Sequence, residues 1–456
     1  MNTVIADQTA LKTPPTVPGL PLVGSLFSFR DPAGFPVEFM TQAIKQYGDV
    51  VSVQVAGRQL YLLADPDLVH DVLVSRVNEF HKTNTGTTEP RALGRFLGEG
   101  ILTADHEAWR PQRKLIQPLM HAKHIESYAE TITRFGEKLL AIWQNGAERD
   151  ISHDMTQVTM WIIAEAMFGM DATNTAEIEH AVKAAQAISL QDLTTPLPEF
   201  LMGPTNRRAA DVNQTLDKVV ESFVAERQAR PDIDRNDLLT LLLNTKDEDG
   251  QPVSREFVRN NILTLFLAGH ETTANTLTWA LYHLDRNPEV RAELQREVDT
   301  VLGGRTPTLD DLKRLPYTQM VIKETMRIEP IVSALGRFVA ADLELGGYQL
   351  HGNSLVMIPI YTLHRDPRWW SNPEQFDPTR FTPENEAKTP KFAYIPFGGG
   401  PRVCLGNHFA MMEAQLLLAM FVNRYEAHRE AQSELPLLRH VTTSPRDGLK
   451  MRLTQR

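Results

Sequence analysis

The sequence predicts a mainly α-helical protein with a minor β portion. Apolar residues recur at helical spacing through most of the 456 residues, which is typical of helices that bury one face in a core. The predicted helices cover residues 121–145, 152–169, 176–191, 207–229, 254–286, 288–302, 309–329 and 407–421. Two short stretches, 51–63 and 343–350, alternate between apolar and polar residues around glycines. Each predicts a β-hairpin, because glycine permits the tight turn between two strands.

The composition is that of an ordinary globular protein. Apolar residues make up 42% and charged residues 23% of the chain, and the formal net charge of −10 disfavours a nucleic-acid-binding surface. A single cysteine cannot form an internal disulfide, which fits a reducing compartment. Residues 1–13 contain no apolar run long enough to span a bilayer. We therefore expect a soluble, cytoplasmic protein without a membrane anchor, whose residues 1–456 form a single domain with a proline-rich segment at 1–21.

The single cysteine, Cys404, lies in a glycine-rich loop directly before the predicted helix 407–421. The free N–H groups and the macrodipole at the start of that helix are expected to lower the pKa of the thiol and to favour the metal-binding thiolate. Three glycines at 398–400 allow the loop to turn tightly and to approach a large flat group. Arg402 adds a cation to the same loop. The plainer interpretation is that a lone cysteine packs as a small buried hydrophobic side chain.

The predicted helix 254–286 is apolar on all sides over residues 262–268 and then becomes polar at 269–273. An apolar circumference indicates a buried helix, and a carboxylate there is costly unless it has a partner or a function. The hydroxyl of Thr272 can bond to a carbonyl of the preceding turn and bend or open the helix. Glu271 and Thr272 would then flank a gap that holds a water molecule, which suits proton delivery. The alternative is a kinked core helix whose threonines bond to their own backbone.

Glu324 occupies a position on the apolar stripe of the predicted helix 309–329 where a hydrophobic residue is expected. A buried carboxylate there needs a fixed cation, and Arg327 lies on the neighbouring surface three residues later. An exposed pair at this spacing would contribute little, about 0.3–0.5 kcal/mol. The position on the stripe favours a buried pair with a structural role.

Three motifs together resemble those of the cytochrome P-450 monooxygenases. Residues 268–273 match the family's oxygen-activation motif, and Glu324 with Arg327 matches its Glu-x-x-Arg motif, whose third member corresponds to Arg380. The cysteine loop matches the family's haem-ligand pattern at every defined position, namely Phe397, Gly400, Arg402, Cys404 and Gly406. The resemblance implies the cytochrome P-450 fold, with haem sandwiched between the long central helix and the helix after the cysteine loop. It also implies that Glu324, Arg327 and Arg380 brace the haem-side core without taking part in chemistry.

The resemblance assigns roles to further residues. Cys404 is implied to be the axial thiolate ligand of the iron in haem b. Glu271 and Thr272 are implied to be catalytic, because they pass the protons that cleavage of the O–O bond consumes. The residues implied to contact the cofactor, the first four through its propionates, are Trp109, Arg113, Arg337, Arg402, Phe397 and Ala268.

A substrate pocket is predicted from the positions of apolar residues relative to these motifs. Such pockets are mostly apolar, so a lipophilic substrate is expected, although each of these side chains could equally belong to the core. The predicted lining residues are Phe96, Leu97, Phe266, Ile331, Val332, Leu335, Leu438 and Val441.

The motifs predict a haem-thiolate monooxygenase that inserts one oxygen atom of O2 into a lipophilic substrate by hydroxylation or epoxidation. Electrons are expected from separate partners, a ferredoxin or flavodoxin with an NAD(P)H-dependent reductase, because the sequence shows no fused reductase. A docking face for them is predicted around Arg110, Lys114 and Arg424. Two alternatives stay open. One is a peroxide-driven or isomerising P-450, which would not need the Glu271–Thr272 pair, and the other is a non-catalytic haem protein that binds or senses a ligand.

Overall fold

The computed structural model describes residues 11–29, 31–82, 92–120, 125–170, 175–194, 202–229, 237–247, 249–430 and 433–456. The α-helices of this part are α1 (Val37–Tyr47), α2 (Pro66–His70), α3 (Gly94–Leu97), α4 (His106–Ile116), α5 (Ala129–Leu140), α6 (Ile151–Phe168), α7 (Thr175–Thr194), α8 (Gly203–Gln228), α9 (Leu238–Asn244), α10 (Arg255–Arg286), α11 (Pro288–Leu302), α12 (Pro316–Ile328), α13 (Ile360–Leu363), α14 (Pro383–Glu386) and α15 (Asn407–Arg424). The β-strands are β1 (Val50–Val55), β2 (Arg58–Leu63), β3 (Phe80–His81), β4 (Glu148–Asp150), β5 (Leu335–Val339), β6 (Leu343–Leu345), β7 (Tyr348–Leu350), β8 (Leu355–Ile358), β9 (Tyr425–His428), β10 (Leu437–Arg439), β11 (Thr443–Pro445) and β12 (Lys450–Gln455). The protein is mainly helical with a minor β portion, as predicted.

Most predicted helices and both predicted hairpins are present, the hairpins as β1–β2 and β6–β7. The prediction of one helix over 309–329 is wrong. A 3₁₀ turn covers Leu309–Arg314, and α12 starts only at Pro316, because proline lacks the N–H that a continuous helix would need there. The predicted helix 121–145 is shorter than expected, since α5 covers its middle and 121–124 lie outside the described residues.

The largest sheet has the strand order β1-β2-β8-β5-β3, in which β2 and β8 run parallel and the other pairs antiparallel. Its buried side chains pack with α1 into one hydrophobic core. A second and larger core lies among the helices, chiefly α5, α6, α10 and α15. The sheet and the helical core leave a cavity between them, lined by residues of both.

The central helix α10 is 32 residues long, and the hydroxyl of Ser254 caps its first turn by accepting from the N–H of Phe257. Most of its side chains are buried, and it packs on α6, α12 and α15. Among the described residues, none of the helices is both long enough and apolar enough to cross a membrane. The cytoplasmic location stays a prediction.

Glu324 and Arg327 form a fully buried ion pair on α12. Arg327 donates from Nε and Nη2 to the two carboxylate oxygens at 2.7 and 2.8 Å, and its Nη1 donates to the carbonyl oxygen of His364 at 2.8 Å. Glu324 also accepts from the N–H of Asp377 at 2.8 Å and lies 3.4 Å from Nε of Arg380. The pair therefore joins α12 to the segment that precedes the cysteine loop.

Replacing Arg327 with methionine should lower the free energy of unfolding by about 3–5 kcal/mol, because Glu324 would remain as a buried carboxylate without its principal cation. Urea unfolding of the purified protein measures this loss. The matched control is Lys183→Met, which removes the exposed pair with Glu179 and should change the same quantity by less than about 1 kcal/mol. Equally small losses for both variants would contradict a structural role for the buried pair.

Candidate active site

The cysteine loop is fixed by its backbone geometry before α15 begins. Gly398 and Gly400 have φ values of +71° and +67°, in the left-handed region that favours glycine. At Gly400 an added Cβ would lie 1.8 Å from the carbonyl oxygen of Leu73. The loop closes where the N–H of Cys404 donates to the carbonyl oxygen of Phe397 at 3.0 Å. Gly400 is therefore required by close packing against the protein's own backbone.

The Cys404 thiol is exposed to the interior cavity rather than packed in the core. Its removal from bulk water raises the pKa of the thiol, and the Gly406 N–H and the Arg113 guanidinium only partly offset this effect. The predicted lowering of this pKa by the helix N-terminus is thus wrong for the thiol on its own, because desolvation outweighs it. A bound metal cation would reverse the balance, since a coordinating thiol is deprotonated.

The wall formed by α10 carries Glu271 and Thr272, and the helix is continuous through both residues, without the predicted opening. The Thr272 hydroxyl donates to the carbonyl oxygen of Ala268 at 3.0 Å, as the plainer interpretation expects. Glu271 accepts hydrogen bonds from the Gln186 amide on α7 and, at 2.6 Å, from the Thr442 hydroxyl. None of the described hydrogen bonds joins Glu271 to Thr272. Both face the cavity, and each is held separately.

A cavity of about 1460 Å³ is bounded by both the cysteine loop and α10. Cys404 contributes to one side of its lining, and residues 264–276 of α10 contribute to another. Of the residues predicted to contact a cofactor or substrate, those that line this cavity are Phe96, Leu97, Trp109, Arg113, Ala268, Glu271, Thr272, Ile331, Val332, Leu335, Arg337, Phe397, Arg402, Cys404 and Val441.

Phe266 and Leu438 are absent from the described lining, and their assignment to the pocket is a misprediction. Phe266 is fully buried on the far side of α10, where its ring packs against Phe168 and Phe223 with centroids 6.0 and 5.5 Å away. Leu438 lies in β10, paired with Ser444 of β11. Only the turn of that hairpin, residues 440–442, reaches the cavity.

One end of the cavity is strongly cationic. Arg337 is buried on β5, and burial lowers the pKa of its guanidinium. Desolvation lowers the pKa of Arg402 to about 10 although Asp105 lies 3.1 Å from its Nη2. The guanidinium of Arg402 stacks 4.3 Å above the ring of Trp109, and its buried Nη1 has no hydrogen-bond partner in the described structure. Arg113 donates to the carbonyl oxygen of Val403 at 2.8 Å, which ties α4 to the cysteine loop.

Lys82 joins this cationic group and was missed in the sequence. It lies half-buried in the cavity wall after β3, where desolvation, Arg337 and Arg402 together lower the pKa of its ammonium to about 7. Asp105 only partly offsets this. In sequence Lys82 looks like any surface lysine after a short strand, and only its position in the fold reveals it.

Comparisons with known proteins agree on one family. The family model of cytochrome P450 matches residues 14–451. Cyclooctatin synthase of Streptomyces melanosporofaciens is 37% identical over 417 residues, which cover 89% of this chain and 88% of that protein. The chain belongs to the cytochrome P450 family.

Further relatives of this P450 agree in function and fold. Cyclooctat-9-en-7-ol 5-monooxygenase of the same organism is 31% identical over 417 residues, covering 90% of this chain and 88% of that one. The crystal structure of the cytochrome P450DA heme domain superposes with a TM-score of 0.87 at 27% identity and covers 98% of both chains. The protein is a P450 monooxygenase, an enzyme of a family whose haem iron is bound by a cysteine thiolate.

The residues of the cavity fit a haem group. In this family the haem iron takes a thiolate ligand, and Cys404 supplies a sulfur that faces the cavity. Its two propionates require buried cationic donors, and Lys82, Arg337 and Arg402 are gathered at one end with the Nη1 donor of Arg402 still free. Among the described residues, Asp105 is the one carboxylate that acts on Lys82, Arg337 and Arg402, so the two propionates would complement their charge.

Lys82 should add a proton uptake to haem binding above about pH 7, which opposes the proton release expected when the Cys404 thiol coordinates the metal. The haem-free Lys82 amine loses its proton near that pH, whereas a propionate beside it would favour the charged ammonium. At Lys82, binding would then take up a proton between about pH 7 and the ordinary lysine pKa near 10.4, so a higher pH opposes this part of the binding free energy. The proton uptake can be measured by calorimetry in buffers with different ionisation enthalpies.

The matched variant for this test is Lys82→Met, which keeps an unbranched side chain without the amine. It should bind haem without the extra proton uptake above about pH 7. The same proton uptake in Lys82→Met and in the parent protein would contradict the role of Lys82.

Proposed function

We propose that this P450 uses haem b to hydroxylate or epoxidise a lipophilic, olefinic or cyclic substrate. The single observation that carries the proposal is one cavity that is lined by the Cys404 sulfur, by Thr272 and by mostly apolar side chains. The name of one relative states that it acts on cyclooctat-9-en-7-ol, which supports an unsaturated carbon skeleton for the substrate here.

Each cavity residue then has a role that its contacts support. Cys404 would hold the iron, while Lys82, Arg337, Arg402 and Trp109 would hold the propionate end. When bound, the haem supplies activation of O2 and transfer of one oxygen atom to the substrate. The protein's own contribution is to orient the substrate, limit water and move protons.

Glu271 and Thr272 are the groups that we assign to proton movement. Both line the cavity on the same turn of α10, and a carboxylate and a hydroxyl are suited to pass protons inward. Thr272 would hold a proton at its Oγ1, which is 3.0 Å from the Ala268 carbonyl oxygen. Glu324, Arg327 and Arg380, by contrast, would only brace the core, since the pair at its centre is fully buried.

The substrate would be selected by the apolar part of the wall. Phe96 and Leu97 of α3 meet at the cavity with Ile331, Leu335 of β5 and Val441 of the turn between β10 and β11. Such a lining favours substrates with few polar groups.

Electrons would arrive from a separate ferredoxin or flavodoxin that is reduced by an NAD(P)H-dependent reductase. Arg110 and Lys114 support a docking face, since both are exposed on α4, the helix that Arg113 ties to the cysteine loop. Arg424 contributes less than expected, because Glu137 lies 3.3 Å from it and neutralises its charge.

The proposal is tested by turnover with a surrogate ferredoxin, its reductase, NADPH and ¹⁸O2 across a panel of olefinic and cyclic lipophilic compounds. We expect products that contain one ¹⁸O atom. Ligand-induced spectral shifts without any oxidised product would favour a sensor instead. Products that form with hydrogen peroxide but never with O2 and electrons would favour a peroxide-driven enzyme.

Thr272→Ala should lower the product formed per O2 consumed several-fold, because the hydroxyl that passes the proton is lost. Parallel measurement of O2, peroxide and product gives this ratio. The matched control is Thr278→Ala, since Thr278 makes the same bond to the carbonyl four residues earlier, at 2.8 Å, but lies outside the described cavity lining. An unchanged ratio in Thr272→Ala would refute the role of Thr272.

Reversing the charge at Arg110 and Lys114 together should slow reduction by an acidic ferredoxin, and the difference should shrink at high salt. Stopped-flow reduction measures the rate. Arg208→Glu combined with Lys218→Glu on α8, both also exposed, controls for the change in net charge. Equal reduction rates at low salt for the double reversal and the parent enzyme would count against this docking face.

A further inference from the structure

The carboxylate of Glu271 on α10 is held by hydrogen bonds from two other walls of the cavity. Glu271 belongs to α10, Gln186 belongs to α7, and Thr442 belongs to the turn between β10 and β11. Gln186 Nε2 donates to both carboxylate oxygens, and Thr442 Oγ1 donates to Oε1 at 2.6 Å. Gln186 Nε2 also lies 3.3 Å from the Thr442 hydroxyl oxygen. All three side chains line the same cavity.

The donors that hold this carboxylate are neutral. Gln186 and Thr442 are buried, with exposed fractions of 8% and 6%, and no ion pair to Glu271 occurs among the described residues. His440 lies in the same turn, and burial lowers the pKa of its imidazole while the Glu271 carboxylate partly opposes this. An acidic group at an apolar cavity needs hydrogen-bond donors to stay in one place. Gln186 and Thr442 are the donors that do so.

We propose that Gln186 and Thr442 are positioning residues for the Glu271 carboxylate in proton delivery. The inference rests on the proposed role of Glu271 and deepens it. Because the two donors come from α7 and from the turn at 440–442, the place of the acid is set by elements that also shape the substrate cavity. A substrate that moves either element would move the acid as well, which links occupancy of the cavity to proton supply.

The test removes each donor with little change in shape. Thr442→Val deletes the hydroxyl, Thr442→Ser keeps it, and Gln186→Met deletes the amide donor. Each of the two deletions should lower kcat for product roughly tenfold, because a lost hydrogen bond to an ionised group corresponds to about that factor. Product per O2 should fall with it, KM should stay unchanged, and Thr442→Ser should restore both values. Thr443→Val is the matched control, since the Thr443 hydroxyl bonds to Ser333 and to the Pro330 carbonyl oxygen instead.

A double-mutant cycle separates positioning from simple packing. In a Glu271→Gln background, Thr442→Val and Gln186→Met should cause no further loss of product per O2. Urea unfolding of the same haem-loaded variants gives a readout that does not depend on activity. The losses in free energy of unfolding caused by Thr442→Val and Glu271→Gln should not be additive. A packing role would lower the free energy of unfolding and leave kcat in place.

Three results would overturn the inference. The first is an unchanged ratio of product to O2 in both Thr442→Val and Gln186→Met while Glu271→Gln lowers that ratio. This result would leave the role of Glu271 intact. The second is additive losses in the double variants. The third is full coupling in Glu271→Gln itself, which would also remove the proposed role of Glu271. If Thr442→Val does not fold, Gln186→Met alone decides between these outcomes.

Discussion

The placement of one sulfur atom in a desolvated cavity is the constraint on which the rest of the site depends. Burial raises the pKa of the Cys404 thiol, so the thiolate is costly unless a cation binds it. A bound haem iron would supply that cation, and the loop that Gly398 and Gly400 shape places the sulfur at the cavity. The same desolvation that disfavours a free thiolate therefore favours a sulfur–iron bond.

The other end of the cavity carries an excess of positive charge. Among the described residues, Lys82, Arg337 and Arg402 are gathered around one carboxylate, that of Asp105, and desolvation lowers the pKa of all three. A group with two carboxylates and a metal cation satisfies both ends at once. The electrostatics of the cavity thus favour a cofactor that carries both a metal cation and carboxylates.

Features formed by residues close together in the chain could be predicted from the sequence. Contacts between residues far apart in the chain could not. The cysteine loop and the Glu324–Arg327 pair depend on neighbours within a few residues, so their patterns are legible in the chain. The partners of Glu271 lie 85 and 171 residues away, and the burial of Lys82 depends on strands and loops far along the chain. Phe266 was misassigned because α10 is apolar on all sides around this residue. The sequence pattern therefore does not indicate which side of the helix faces the cavity.

The most direct test of this account is the absorption spectrum of the reduced protein with carbon monoxide, taken for the parent and for Cys404→His. The account predicts the strongly red-shifted main band of a thiolate-bound haem in the parent protein and its loss in Cys404→His, in favour of the band of imidazole-bound haem. The account would be contradicted by a parent protein that already shows the imidazole-type band, or by a Cys404→His variant that keeps the thiolate-type band.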